Sequence, residues 1–350
     1  LAKKSEVNKN NLRVIKSENF KIIHHSSYIE LQIIAPEKGK IERSYALIPR
    51  GKSPIISNPT TVKIQVPIKG LITLSATQLG MLKKLHELKC VKGVSNERYI
   101  DNPQVIQQIS LGKTKEFESI DQLNPERVFV SGANVVLYDG FGKAPVNEDK
   151  LAKLGVYCIP NYDWRESSPL GKAEWIKVLG VLTGKEQFAS DYFAKISKEY
   201  KLLVQEVKKS HVTRKYCLLG SLIGDRWYMP AGESYMATIL KDAGINYVEK
   251  NSRGTGSVSF TLEHCLTHYK NASYWINPGC SSKKELLQQH EKYRYFKAFQ
   301  SNNLFCYSHN PNYFWENSAI EPHHLLSDFI QLNRGKYSDK KLYFYRKLKE

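Results

Sequence analysis

Residues Lys185–Ser210, KEQFASDYFAKISKEYKLLVQEVKKS, contain neither glycine nor proline. Phe188, Tyr192, Ile196, Tyr200, Leu203 and Val207 recur at steps of three or four, which draws one apolar stripe along a helix. A helix of that length spans roughly 39 Å, about the width of a small domain. It serves either as a strut between two bodies or as a long face packed on one, and its own residues allow both.

The flanking chain repeats itself in kind. Val62–Thr73 reads as a strand. Ser75 with Gln78 three residues later fits a capping box for a helix through Leu88, and Val91–Val94 reads as a short strand. Glu116–Leu123 reads as a helix stopped at Asn124–Pro125, followed by a strand at Arg127–Ser131. After residue 213 the order returns: a strand at Lys215–Ser221, a helix at Ser234–Asp242 closed by Gly244, and a strand at Asn246–Val248. A helix at Thr261–Tyr269 and a strand at Ser273–Asn277 complete it. Helices over Lys283–Ala298 and Pro322–Leu332, with an aromatic loop at Pro311–Trp315, form the tail. Upstream, Phe20–Ile23, Tyr28–Ala35 and Arg43–Ile48 predict an antiparallel meander.

The expected fold class is α/β, two Rossmann-like lobes joined by one long α-helix, with an N-terminal β-strand extension. The expected boundaries are a polar tether over 1–18, the β extension over 19–60, and the N-terminal lobe over 61–184. The linking helix then takes 185–210 and the C-terminal lobe 211–350. A chain of 350 residues with 41% hydrophobic content can bury a core in each lobe. No run of 18 apolar residues occurs, so no helix is expected to span a membrane.

The net charge of +18 favours anionic partners. It is spread along the chain with only short clusters, such as Lys208–Lys209 and Lys340–Lys341, and no zinc finger, RNP-type segment or basic zipper is present. A nucleic-acid partner is therefore not expected. The six cysteines show no CxxC spacing, which argues against structural zinc, and sequence does not choose among disulfide connectivities. Cys90, Cys158 and Cys217 lie in apolar strand-like contexts that suit buried thiols.

Trp227–Phe260 carries an aromatic pair beside a Pro-Ala-Gly turn, an amphipathic helix, and a Gly/Ser/Thr-rich loop bearing Arg253. It resembles the C-terminal lobe of ABC-transporter substrate-binding proteins for ferric siderophores, haem or cobalamin, the two-lobe class joined by a single helix. The run WYMPAGESY and the segment DAGINY look like a lipoprotein variant of Bacteroidetes-like bacteria. The resemblance covers about residues 62–349 and includes the closing LYFYRKL. In that family one exposed glutamate per lobe docks on permease arginines. LGKTKEFESIDQLNPERVFV is similar to the N-lobe motif and places the docking carboxylate at Glu118, with Glu116 as neighbour. Glu126-Arg127 stands where the pattern has its aspartate. SVSFTLEHCL places the other carboxylate at Glu263. The resemblance implies a periplasmic, lipid-anchored, monomeric receptor that binds a metal chelate between its lobes and presents it to an inner-membrane permease. The polar residues 1–12 lack the apolar region of a signal peptide and fit an anchor tether.

The expected ligand contacts are Trp164, Arg165, Trp227, Tyr228, Arg253, His309, Tyr313 and Trp315, aromatic and basic side chains on loops after strands. Trp175 and Trp275 belong to the core. No cofactor and no catalytic residue is expected. The enzyme alternative rests on His264 and His268, four apart on a helix, and on Cys306 with His309. HExxH, GxSxG, Walker A and GxGxxG are all missing.

Overall fold

The computed structural model describes residues 12–95, 100–117, 119–140, 145–210, 215–307, 313–335 and 342–350. The chain divides into two units. The first takes the chain through Trp164, then Leu170–Lys195 and Trp315–Ile320; the second takes Arg165–Pro169, Ile196–Phe314 and Glu321–Glu350. The helix Glu186–Lys209 starts in one and ends in the other. Its buried seam is Ala189, Phe193, Ile196 and Tyr200. The expected stripe is right at Ile196 and Tyr200 but one position off earlier, where Phe188 is 44% exposed and Tyr192 half-buried.

In the first unit, Phe20–His24 (β1), Ile29–Ile34 (β2) and Ile41–Pro49 (β3) form the expected antiparallel meander. Val62–Val66 (β4) adds to β3 in parallel. The strand expected over Val62–Thr73 is therefore two strands. Pro67 removes a ladder donor, and Gly70 sits where a β-carbon would lie 2.6 Å from Lys92 and 2.7 Å from the Gly132 carbonyl. Leu71–Thr73 (β5) begins a separate parallel sheet. Val91–Ser95 (β6), Lys115–Phe117 (β7), Val135–Asp139 (β8) and Tyr157–Asn161 (β9) complete it in the order β7-β6-β5-β8-β9. The run VVLY of β8 is buried throughout, as a central parallel strand covered on both faces must be.

Four local expectations give way here. Ser75 opens the helix Ala76–Lys84 without a side-chain cap bond: its Oγ pairs with Thr77 Oγ1 at 3.1 Å, while Gln78 turns inward and accepts from Thr73 Oγ1. The helix expected over Glu116–Leu123 is instead β7 and a 3-10 turn at Ile120–Gln122. Asn124 is a start and not a stop. It accepts the Arg127 amide at 2.8 Å and caps the helix Pro125–Val130, where a first-position proline loses nothing. The strand expected at Arg127–Ser131 falls at β8, and a helix at Pro103–Ser110, capped by Asn102, is an addition to the expected set.

The polar start is tied down from Arg13 onward. The backbone amides of Ile15, Lys16 and Ser17 donate to the Glu174 carboxylate at 2.6–3.1 Å. Lys177 Nζ bridges Glu174 at 2.9 Å and the Arg13 carbonyl at 2.6 Å. Glu174 and Lys177 are wholly buried, so the chain at residues 13–17 satisfies an ion pair that burial would otherwise penalise. A tether over the whole of 1–18 is thus too long.

In the second unit the strands are Tyr216–Leu219 (β10), Ser221–Ile223 (β11), Arg226–Pro230 (β12) and Asn246–Tyr247 (β13). Ser257–Phe260 (β14), Tyr274–Ile276 (β15), Leu304–Cys306 (β16) and Arg346–Lys347 (β17) follow. A sheet of order β13-β10-β15-β16-β17 is parallel except for its last strand. A small antiparallel sheet β11-β12-β14 stands beside it in sequence. The expected strand Lys215–Ser221 is split at Gly220, whose φ is +81° and where a β-carbon would lie 1.9 Å from the Tyr228 carbonyl oxygen. Helices Tyr235–Asp242 and Leu262–Tyr269 fall where expected, capped by Ser234 and Thr261.

Candidate functional site

In an open parallel sheet, ligands bind outside the carboxyl ends of the strands where the strand order reverses. In the first unit that reversal lies between β5 and β8. The polar residues there were not among those expected. Asp139 ends β8 and Asn161 ends β9, and Asp163 follows in the 3-10 turn Asp163–Arg165. Thr77, in the first turn of Ala76–Lys84, donates to Asp163 at 2.8 Å. Asp139 Oδ1 is buried with no hydrogen-bond partner among the described residues. Burial first, and then the neighbouring Asp163 carboxylate, push its pKa up to about 7. Near neutral pH this carboxyl carries a proton much of the time and offers an O–H as donor.

The raised value fixes a pH dependence. Folded Asp139 titrates near 7 and unfolded aspartate near 3.8, so ionisation opposes folding and stability falls as pH rises from about 4 to about 7. Asp139→Asn removes this loss. The variant is expected to match the parent at pH 4 and to exceed it by on the order of 2 kcal/mol at pH 8 in urea denaturation. A parallel pH profile for both proteins would contradict the assignment.

Of the expected contacts in this unit, Trp164 is half-buried directly after Asp163. Trp315 is 45% exposed. Its position is set by its neighbour Glu316, whose Oε1 accepts the Asp101 and Asn102 amides at 2.9 and 2.8 Å. Gly80 lets this segment come close, since a β-carbon there would lie 1.8 Å from the Glu316 carbonyl oxygen.

The second unit reverses between β10 and β15. Asn277, just past β15, adopts φ +60°; its Nδ2 donates to Tyr345 at 3.3 Å, while Oδ1 is buried without a partner among the described residues. The loop carrying Arg253 is firmly held. Glu233 accepts the Gly254 amide at 2.7 Å, and Ser252 Oγ accepts the Gly232 amide at 2.9 Å. Arg165 Nε donates to Thr255 Oγ1 at 3.2 Å, which brings a second guanidinium to the loop of Arg253. Arg165 is half-buried and Arg253 exposed. Tyr228 is 43% exposed on β12. Tyr313 is half-buried with φ +51°, and His309 lies outside the described residues.

Trp227 is not a ligand wall. It is fully buried, its indole N–H donates to the Leu219 carbonyl at 2.9 Å, and its ring packs 5.1 Å from Trp275 and 5.6 Å from Phe296. Alternation along β12 explains the exchange: Trp227 faces the core and Tyr228 faces out. Trp175 and Trp275 are in the core as expected.

Among the described residues, His264 and His268 give the enzyme alternative no metal-binding geometry, and the pair Cys306 with His309 lies partly outside them. His264 and His268 stack with ring centroids 4.2 Å apart, and His268 Nδ1 is engaged by the His264 carbonyl at 3.0 Å. Among the described residues no three His, Cys, Asp or Glu side chains converge as a metal site. All six cysteines are buried and unbridged; burial pushes Cys90, Cys158 and Cys265 up to about 12, which keeps them unreactive thiols.

Glu263 sits in the first turn of its helix, as expected, and is paired with Lys292 at 3.3 Å. A hydrogen bond from its own backbone amide, then Lys292, hold its pKa below the usual glutamate value. Glu118 lies outside the described residues, and the chain on either side is β7 and a 3-10 turn, not a helix.

A family model described as periplasmic binding protein matches residues 71–310. An uncharacterized lipoprotein of Methanocaldococcus jannaschii is 23% identical over 81% of this chain and 70% of its own length. The triscatecholate siderophore binding protein of Bacillus subtilis, solved with ferri-bacillibactin, superposes with a TM-score of 0.60. It shares 16% identity over 82% of this chain and all of that one. A periplasmic heme binding protein of Pseudomonas aeruginosa gives a TM-score of 0.59 at 14% identity, over 77% and 94% of the two chains. With two parallel sheets, a long helix shared by both units, and a match over most of its length, this chain belongs to the periplasmic binding protein family.

Proposed function

We propose that this chain is the substrate-binding component of an ABC importer. It captures an iron chelate, a ferric siderophore ahead of haem or cobalamin, and delivers it to a membrane permease. It is a receptor, not an enzyme, exported and lipid-anchored, in keeping with its lipoprotein relative. The observation that supports an anionic ligand is that Arg165 reaches the loop of Arg253 through its bond to Thr255, with Tyr228 exposed on β12. Guanidinium groups bind carboxylate and catecholate oxygens strongly, and aromatic rings stack on planar chelates. The net charge of +18 acts in the same sense. Asp139 opposes it only in part, because burial pushes its pKa up to about 7 and the carboxyl carries a proton about half the time at that pH.

Tryptophan fluorescence tests the reading. Of the five tryptophans, Trp175, Trp227 and Trp275 are buried, so Trp164 and Trp315 are the reporters. Titration with ferric catecholate and hydroxamate siderophores, haemin and cobalamin is expected to give saturable quenching by one class, with Kd below about 1 μM. Trp164→Phe and Trp315→Phe are expected to reduce its amplitude. Quenching by none of the four would end the chelate reading.

A further inference from the structure

The small antiparallel sheet β11-β12-β14 belongs wholly to the second unit, and one of its faces is turned away from the core. Trp227 and Met229 on β12 are buried, so Arg226, Tyr228 and Pro230 take the opposite face. Cross-strand pairing sets Ser221 and Ser259 on either side of Tyr228, and Ile223, which is 66% exposed, beside Arg226. This face starts at the carboxyl edge of the larger sheet, where its strand order reverses between β10 and β15. Ser221 is the second residue past β10, and the chain beyond β15 comes over it: a β-carbon on Gly279 would lie 3.0 Å from Ser221 Oγ. At the far end of β12 the Ala231 amide donates to the Gly256 carbonyl at 2.9 Å, which ties the strand to the loop of Arg253.

Arg226 is fixed before any ligand arrives. Its Nη2 donates to the Ser259 carbonyl at 2.8 Å and to Ser259 Oγ at 3.1 Å. Its other N–H groups have no partner among the described residues, and no described carboxylate pairs with it, Asp225 in the adjoining turn included. Ser221 Oγ, across from the Tyr228 ring, also makes no hydrogen bond among the described residues. A guanidinium already held by a strand neighbour loses less freedom on binding than a mobile one. Arg226 and Tyr228 stand two residues apart on one face, about 7 Å along the strand, which is the reach of one aromatic ring plus a hydrogen bond of about 2.8 Å.

We infer that this face seats a flat aromatic group with an oxyanion at its rim, the ring stacked on Tyr228 and the oxygen bonded by Arg226. This narrows, and rests on, the receptor reading proposed above: the cargo is a planar anionic chelate, a chemistry shared by ferric catecholates and haemin. A ferric tris-hydroxamate, which is neutral and carries no aromatic ring, offers nothing to either side chain. Arg226 and Tyr228 thus set specificity.

Calorimetric titration of the whole chain with the ferric complex of 2,3-dihydroxybenzoate, with haemin and with a ferric tris-hydroxamate tests this. One of the first two is expected to bind saturably and ahead of the hydroxamate, and which one binds names the source. Arg226→Gln keeps a donor for the Ser259 carbonyl but removes the charge, so the melting temperature should hold while that affinity falls about tenfold or more. Tyr228→Ala should lower it by about three- to tenfold and Tyr228→Phe should not. Preference for the hydroxamate, or chelate binding untouched by both Arg226→Gln and Tyr228→Ala, would overturn the inference and leave the receptor reading standing. Binding of none of the three would count against the receptor reading instead, and metal-free 2,3-dihydroxybenzoate at up to about 10 mM then decides the face alone. Binding that Arg226→Gln abolishes would keep the face as an aryl-anion site, and no binding would remove it.

Discussion

Asp328→Ala is expected to cost the second unit most of its stability. Asp328 lies on the helix Pro322–Arg334 and is 1% exposed. Its Oδ1 accepts the Tyr343 amide at 2.7 Å; its Oδ2 accepts the Phe344 and Tyr345 amides at 2.7 and 3.1 Å. One carboxylate thus fixes the chain just ahead of β17, the strand that closes the sheet on β16. Alanine leaves two buried donors and one partly buried donor without an acceptor, at about 1–3 kcal/mol each, so the total is on the order of 5 kcal/mol. That is comparable to the whole stability of many domains. Burial pushes the pKa of this carboxyl up to about 6 against the pull of the three amides, so it is ionised at pH 7.5 at some cost. Asp328→Asn should therefore be milder: it keeps an acceptor for two amides, sheds the buried charge, and sets an NH2 against the third. Urea denaturation followed by near-UV circular dichroism should rank the parent above Asn and Asn well above Ala. An alanine variant within 1 kcal/mol of the parent would show that the segment is held by its apolar side chains Phe344 and Tyr345 instead.

The second pass of the chain was more legible than the first, and the reason is local. Ser234 and Thr261 are followed by helices whose caps form as their sequences suggest, and Gly244 closes the first of them with φ +76°. In the first pass the same kinds of signal were overruled. Gln78 has the spacing for a capping box, but a buried Thr73 hydroxyl claims its side-chain oxygen. EFESIDQL has helical spacing, yet Lys115–Phe117 pairs with β6 and takes the chain into the sheet. Asn124–Pro125 is as good a helix start as a stop, and only the Arg127 amide decides between them.

The site divides along the same line. Residue type singled out Tyr228, Arg253 and Trp315, all of which the structure leaves exposed, since aromatic and basic residues stand out in sequence. Asp139, Asn161, Asp163 and Asn277 were not legible, although each closely follows an apolar strand. What places each of them at the carboxyl edge of its own sheet, where the strand order reverses, is the order β7-β6-β5-β8-β9 in one unit and β13-β10-β15-β16-β17 in the other, which no single segment encodes. Trp227 failed for a simpler reason. Two adjacent aromatic residues in a strand point to opposite faces, and sequence does not say which is the inner one.

Loss of transport without loss of binding is the outcome expected of Glu118→Ala combined with Glu263→Ala. Glu263 is suited to meet a partner: its side chain is 69% exposed, and its lowered pKa keeps it charged throughout the neutral range. Lys292 at 3.3 Å is an exposed partner that a permease arginine can displace at little cost. A carboxylate–arginine pair desolvated at an interface contributes about 1.5–3 kcal/mol, so removing two should lower productive docking by at least about a hundredfold. Uptake of the labelled chelate by cells carrying the double variant is the measurement, with chelate affinity and melting temperature recorded alongside. Neither substitution touches a residue proposed to bind ligand, so affinity should not move. Glu116→Ala is the control that separates docking from general acidity, because Glu116 lies on β7 two residues from Glu118. Retained uptake in the double variant with binding intact would remove these two glutamates from the docking surface. Equal loss in Glu116→Ala would mean that the net charge of this face, and not a specific carboxylate, engages the permease.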